Sequence, residues 1–181
     1  FNIDHPDVEK IIEWKAGEED VAVGLASLGF STDWEGEIYQ IRLESQNQNI
    51  SIRVPNEFME AVRNDDWWDL KYVTSGEVAK RVKARKLFDK INYAAWRAAD
   101  PGMQFDTTIN DWHTCPNSGR INASNPCSEY MHIDDTACNL SSFNLKKYTN
   151  GKLFDMDGFV NDVDKVFTAQ ELLVDCASYP T

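Results

Sequence analysis

Apolar residues recur along this chain in two rhythms, and the switches between them mark its elements. Val8, Ile11 and Ile12 fall at helical spacing behind Asp4, a residue able to cap, with Pro6, Asp7 and Glu9 in the first turn. This predicts a helix to about residue 15. Between residues 17 and 36 four glycines (Gly17, Gly24, Gly29 and Gly36) break any period, which predicts loop with at most a short helix over 21–28. Residues 38–43 and 50–54 are rich in β-formers. In the second stretch Ile50, Ile52 and Val54 alternate with Ser51 and Arg53, as on a strand with one apolar and one polar face.

Asn56 is then placed to cap a short helix through Phe58, Met59 and Val62, and 69–73 reads as another strand. Thr74 and Glu77 have capping-box spacing ahead of an apolar stripe, Leu87, Ile91, Ala94, Ala95 and Ala98, that stops at Asp100-Pro101-Gly102. From 103 to 128 the pattern dissolves into Thr, Asn, Asp, Gly and Pro, which predicts a long loop of the kind that carries function. Strand-like 130–133 and 137–140 follow. A last helix is predicted from about Asp157, with Phe159, Val163, Val166, Phe167, Gln170 and Leu173 at helical spacing. Alternating strands and helices give an α/β or α+β class.

Composition narrows the possible partners. The 181 residues are 42% hydrophobic and 27% charged, a globular balance. Eighteen Lys+Arg against thirty Asp+Glu leave a net charge of −12 and no basic cluster, which argues against nucleic acid as a partner. No apolar run approaches membrane-spanning length and no signal segment opens the chain, so no membrane and a cytoplasmic location are expected. The start at Phe1 without Met suggests a piece of something longer.

Four cysteines at 115, 127, 138 and 176 lack the close pairing of a zinc knuckle, and no metal is expected. His113 and Cys115 would begin a metal site only if Cys127 joined them. His5 and His132 read as cap and strand residues. Asp155-x-Asp157-Gly158 has the opening of a calcium loop but Val166 where its closing Glu should stand. Three N-x-S/T sequons, at Asn49, Asn122 and Asn139, leave a secreted disulfide-bonded binding module as an alternative; without a signal segment, reduced thiols are the default.

The chemistry concentrates in Asn125-Pro126-Cys127-Ser128-Glu129. Pro126 pushes Asn125 into the extended region, and in an extended run residues two apart point the same way. Asn125, Cys127 and Glu129 would then share one face within about 14 Å of chain. They bring an amide, a nucleophilic or one-electron sulfur and a proton acceptor to one small ligand.

The run from Trp112 to Tyr130, continued by Asp134-Asp135-Thr136-Ala137-Cys138-Asn139-Leu140-Ser141-Ser142, resembles the core of the ribonucleotide reductase large chain. Further matches at His5-Pro6-Asp7, at Asn47 through Val54 leading into Phe58-Met59, and at Phe167 through Glu171 extend the likeness over nearly the whole chain. Pro126, where the iron-dependent class I usually has Leu, brings it nearest the adenosylcobalamin-dependent class II; class I remains the alternative.

The resemblance implies a partial ten-stranded α/β barrel of the ribonucleotide reductase and glycyl radical enzyme type with a central finger loop. Residues 1–181 would be a central segment of one catalytic barrel domain, incomplete at both ends. Cys127 would be the thiyl-radical cysteine at the loop tip, Glu129 the base on the ribose 3′-hydroxyl, and Asn125 the partner of the ribose hydroxyls. Cys138 would be one member of the pair oxidised to a disulfide, its partner lying upstream of Phe1. Adenosylcobalamin is the implied cofactor, although the residues that contact it are not identified. A ribonucleoside di- or triphosphate is the implied substrate, dNTP or ATP the effectors, a thioredoxin-like protein the reductant, and a homodimer the assembly. The effector-reading loop should end before Phe1 and the phosphate-binding segment should lie beyond Thr181.

Overall fold

The computed structural model describes residues 1–44 and 46–178. The chain divides into two compact units, Phe1–Ile133 and Asp134–Thr181. Among the described residues no helix is long and apolar enough to cross a membrane.

In the first unit α1 (Val8–Ser27) is longer than the periodicity predicts. Gly17 and Gly24 lie on its exposed side, where an added β-carbon would meet open space, so they cost propensity without breaking the helix, while Ala16 and Ala22 are buried. Asp4 does not cap it. The chain enters through a turn in which the Val8 amide reaches the His5 carbonyl and His5 Nδ1 accepts from the Asp7 amide at 3.1 Å; His5 thus fastens the turn before the helix, and no side chain caps α1 itself. The expected strand over 38–43 is instead a π-helical turn, Ile38–Arg42, closed by the Leu43 amide on the Ile38 carbonyl. Burying both Ile38 and Leu43 against Ala22 outweighs local β preference.

β1 (Ser51–Val54) runs as predicted, followed by α2 (Asn56–Asn64). The Asn56 side chain does not cap α2; its backbone amide donates to Thr107 Oγ1 at 3.0 Å. β2 (Trp67–Lys71) begins two residues before the expected strand and pairs antiparallel with β3 (Val78–Lys83). Thr74 and Glu77 therefore lie in the hairpin loop, where the Tyr72 amide meets the Glu77 carbonyl, and cap nothing. The predicted stripe belongs to α3 (Ala84–Ala98). β4 (Gly102–Phe105) and α4 (Asp106–Asp111) give order to the start of the predicted loop, and β5 (Ala123–Ser124) with β6 (Met131–His132) closes the unit as a short hairpin.

β1 and β4 pair in parallel, Arg53 opposite Gln104, with α2, the β2–β3 hairpin and α3 between them in sequence. This is α/β connectivity. The described residues form three two-stranded sheets and no closed barrel. One core joins Val8 and Ile12 of α1, Ile52 and Val54 of β1, Phe58 and Val62 of α2, Leu70 of β2, and Leu87 and Ile91 of α3. At its centre Phe58 meets Trp68 edge to face at 5.2 Å. Ion pairs run down the α1–α3 seam, Lys90 to Glu13 at 2.6 Å and Arg97 to Asp20 at 2.9 Å among them.

The second unit is built on α5 (Met156–Cys176), which starts where predicted. Asp155 accepts from the Gly158 amide at 3.0 Å, and a side chain at position 158 would collide with that carboxylate. Phe143, Tyr148, Phe154 and Phe159 form an aromatic cluster beside it. The expected strand over 137–140 does not form. Its polar groups are taken by a helix side chain instead: Gln170 Nε2 donates to the Asn139 carbonyl at 2.8 Å, and Asn139 Nδ2 returns a bond to the Gln170 carbonyl at 3.2 Å.

Candidate active site

Parallel pairing of β1 with β4 puts Arg53 beside Gln104, and both side chains are buried, each 5% exposed. The polar face read from the alternation is thus an interior one, covered by the chain that follows β4. A guanidinium out of water needs every donor matched. Arg53 Nε and Nη2 donate to Asp106 Oδ1 at 2.9 and 2.6 Å, Nη1 donates to Gln104 Oε1 at 2.9 Å, and Nη2 also reaches the Ile121 carbonyl at 2.9 Å. Arg120 pairs with the other oxygen of Asp106.

The segment 112–121 is tied down by backbone-directed side chains. Asn110 grips Ile121 from both sides, Oδ1 accepting its amide at 3.0 Å and Nδ2 donating to its carbonyl at 3.1 Å. His113 Nδ1 accepts from the Cys115 amide while Nε2 meets the Gly119 carbonyl at 3.1 Å, so this ring fastens a loop. Among the described residues no three His, Cys, Asp or Glu side chains gather as metal ligands would.

The strand pair β5–β6, with Ser124 opposite Met131, then presents the chemical residues. Here the extended-run expectation is corrected. The Ser128 amide donates to the Asn125 carbonyl at 3.1 Å, so Asn125-Pro126-Cys127-Ser128 is a tight turn and the chain reverses. The fixed φ of Pro126 suits the second position of such a turn as well as it suits a strand. Ser128 takes φ +63°, a left-handed conformation outside the range of a regular strand.

Period-two facing therefore does not group Asn125, Cys127 and Glu129. Asn125 Oδ1 instead accepts from the Tyr130 amide at 3.0 Å across the neck of the turn, and Tyr130 stacks on His132. Cys127 sits at the exposed tip, with Glu129 exposed two residues on. Cys138 is an exposed free thiol of the second unit. Cys115 and Cys176 are also free and exposed.

Sequence reasoning missed what holds the tip. Gln104 Nε2 donates to Ser124 Oγ at 2.7 Å and to Ser128 Oγ at 3.0 Å, and Ser124 Oγ donates onward to the Asn125 carbonyl at 2.7 Å. Gln104, Arg53, Asn125 and Pro126 also border a cavity of 180 Å³. The available signal was a polar residue inside each short apolar strand, Ile-Arg-Val and Met-Gln-Phe.

The family model of the ribonucleotide reductase barrel domain matches residues 1–181. A vitamin B12-dependent ribonucleotide reductase of Streptomyces clavuligerus is 45% identical over 186 aligned positions, covering 100% of this chain and 19% of the relative. One from Rhodopirellula baltica is 47% identical over 180 positions, 98% of this chain and 17% of the relative. A vitamin B12-dependent ribonucleoside-diphosphate reductase of Thermoplasma acidophilum is 34% identical over 176 positions, 97% of this chain and 20% of the relative. The chain thus spans about a fifth of the length of the curated relatives it matches. With one family model running from Phe1 to Thr181, the chain belongs to the ribonucleotide reductase family, as a stretch of its barrel domain.

Proposed function

We propose that this stretch carries the radical cysteine of an adenosylcobalamin-dependent ribonucleotide reductase, which converts ribonucleoside di- or triphosphates to deoxyribonucleotides. The observation that carries the reading is Cys127, an exposed thiol at the tip of a turn anchored to a buried strand residue, in a chain matched end to end by vitamin B12-dependent enzymes.

The residues suit a bulky radical source in that Cys127 stands clear of its own unit, where a large group can approach it. When bound, adenosylcobalamin would supply the radical chemistry that such a thiol needs. The Cys127 sulfur then takes the 3′ hydrogen of the ribose. Glu129 accepts the proton of the 3′-hydroxyl, which eases loss of the 2′-hydroxyl as water. Asn125 holds the ribose hydroxyls through Nδ2, the end of its amide not engaged by Tyr130. Cys138 and a cysteine upstream of this stretch give up two electrons and two protons, one proton to the departing 2′-hydroxyl and one to the reduced C2′, and close as a disulfide that a thioredoxin-like protein reopens; Cys127 then returns its hydrogen to C3′. A ten-stranded barrel around the hairpin, dNTP or ATP effectors, a homodimer and a cytoplasmic location complete the proposal.

Cys127→Ser in the full-length enzyme should abolish deoxyribonucleotide formation while nucleotide still binds; retained steady-state activity would refute the assignment. Cys138→Ser should allow at most about one turnover per active site, and continued turnover with the protein reductant would remove Cys138 from the redox pair.

A further inference from the structure

We propose that Gln104 is a positioning residue that sets where the Cys127 sulfur stands. Its amide has no freedom of orientation. Arg53 carries only donors, so the oxygen of Gln104 must face it, and the nitrogen must face the turn. The two hydrogens of that nitrogen go to Ser124 and Ser128, three residues before Cys127 and one after it. Both bonds come from a buried strand position, so they tie the turn to the sheet, whereas the turn's own bonds, Ser128 to Asn125 and Tyr130 to Asn125, only define its internal shape.

The anchored residue is also the strained one. Ser128 holds φ +63°, a conformation that is unfavourable for a residue with a β-carbon and persists only where the surroundings impose it. Without the Gln104 bonds the turn keeps its closure but loses its register against β4. A thiol that must meet one hydrogen atom of a substrate is sensitive to such a shift, since a displacement of about 1 Å can cost about 100-fold in rate.

This inference rests on the reading of Cys127 as the reacting thiol, and the test keeps the two apart. In the full-length enzyme Gln104→Leu, of similar size but without donors, should lower kcat by about 10- to 100-fold and leave KM within about threefold. The pair Ser124→Ala with Ser128→Ala removes the other ends of the same bonds and should give the same loss, and the triple variant should be no worse than either. Iodoacetamide labelling of Cys127 in the cofactor-free enzyme, read by mass spectrometry of its peptide, should change in rate at least about threefold in all three. If Gln104→Leu does not fold, the serine pair carries both readouts.

A kcat within twofold of the parent in Gln104→Leu or the serine pair, alongside an inactive Cys127→Ser, overturns the positioning role alone. Losses that add in the triple variant, or Cys127 labelling at the parental rate, do so too. Activity in Cys127→Ser overturns the reading of the thiol and this inference with it.

Discussion

Around Phe58 the first unit is held by apolar contact from α1, α2, α3 and the strands, whereas residues 106–133 contribute a single buried hydrophobic side chain, Ile121, and are fastened by hydrogen bonds that Arg53 and Gln104 donate and that Asp106 and Asn110 accept. Apolar burial is strong but has no preferred direction, so it stabilises a scaffold without fixing any one atom. Hydrogen bonds add little net stability, yet their geometry is narrow and an unmade buried one is costly. The core therefore supplies stability, and the polar network supplies the position of the hairpin tip.

Removing the aromatic at the heart of the core should have the largest effect on stability. Phe58→Ala deletes a fully buried ring packed edge to face against Trp68 and should cost about 3–5 kcal/mol in denaturant unfolding, with Cys127 labelling under native conditions unchanged. Arg53→Met should cost about 3 kcal/mol, because Asp106 Oδ1 and the oxygen of Gln104 lose their partner while Arg120 holds only the other oxygen of Asp106, and should also alter Cys127 labelling. If the two variants move stability and labelling in the same proportion, the division between scaffold and network fails.

In the second unit Gln170→Ala removes the side-chain bonds to the Asn139 carbonyl and to Ser141, leaving the one from Asn139 Nδ2 to the backbone, and should cost about 1 kcal/mol, seen as faster amide exchange over 138–141. The smallest effect is on pH dependence. Burial of Glu9 opposes its charge, but hydrogen bonds from Lys80 and Lys90 outweigh it and hold the carboxyl below the ordinary glutamate value. A pKa depressed by folding gives stability that is present above the unfolded value and lost as pH falls through the folded one. Glu9→Gln should therefore flatten the acid limb of the stability curve by less than about 1 kcal/mol; an unchanged limb would show that these pairs contribute nothing.

What the sequence made legible follows the same division. α3 and α5 were readable because their apolar stripes are long, and β1 because Ile50, Ile52 and Val54 alternate. The extension of α1 past Gly17 was not, since exposed glycines look the same in a helix and a loop until the buried Ala16 and Ala22 are seen. β3 was hidden inside what looked like the approach to α3. At the site, the chemistry of Asn125, Cys127 and Glu129 stood out in one dimension, but the turn did not, because Pro126 fits both a strand and a reversal. Gln104 and Arg53 could not be linked to that turn from local pattern, their partners lying 20 to 68 residues away.

The central claim is that Cys127 is the thiol that starts the reaction on the nucleotide. It is tested most directly by a single turnover: pre-reduced full-length enzyme loaded with cofactor, equimolar nucleotide, no external reductant, and deoxyribonucleotide measured. The parent should give about one deoxyribonucleotide per active site, drawn from the two electrons of its one reduced cysteine pair, whereas Cys127→Ser should give no product at all. Deoxyribonucleotide in the first turnover of Cys127→Ser would contradict the account.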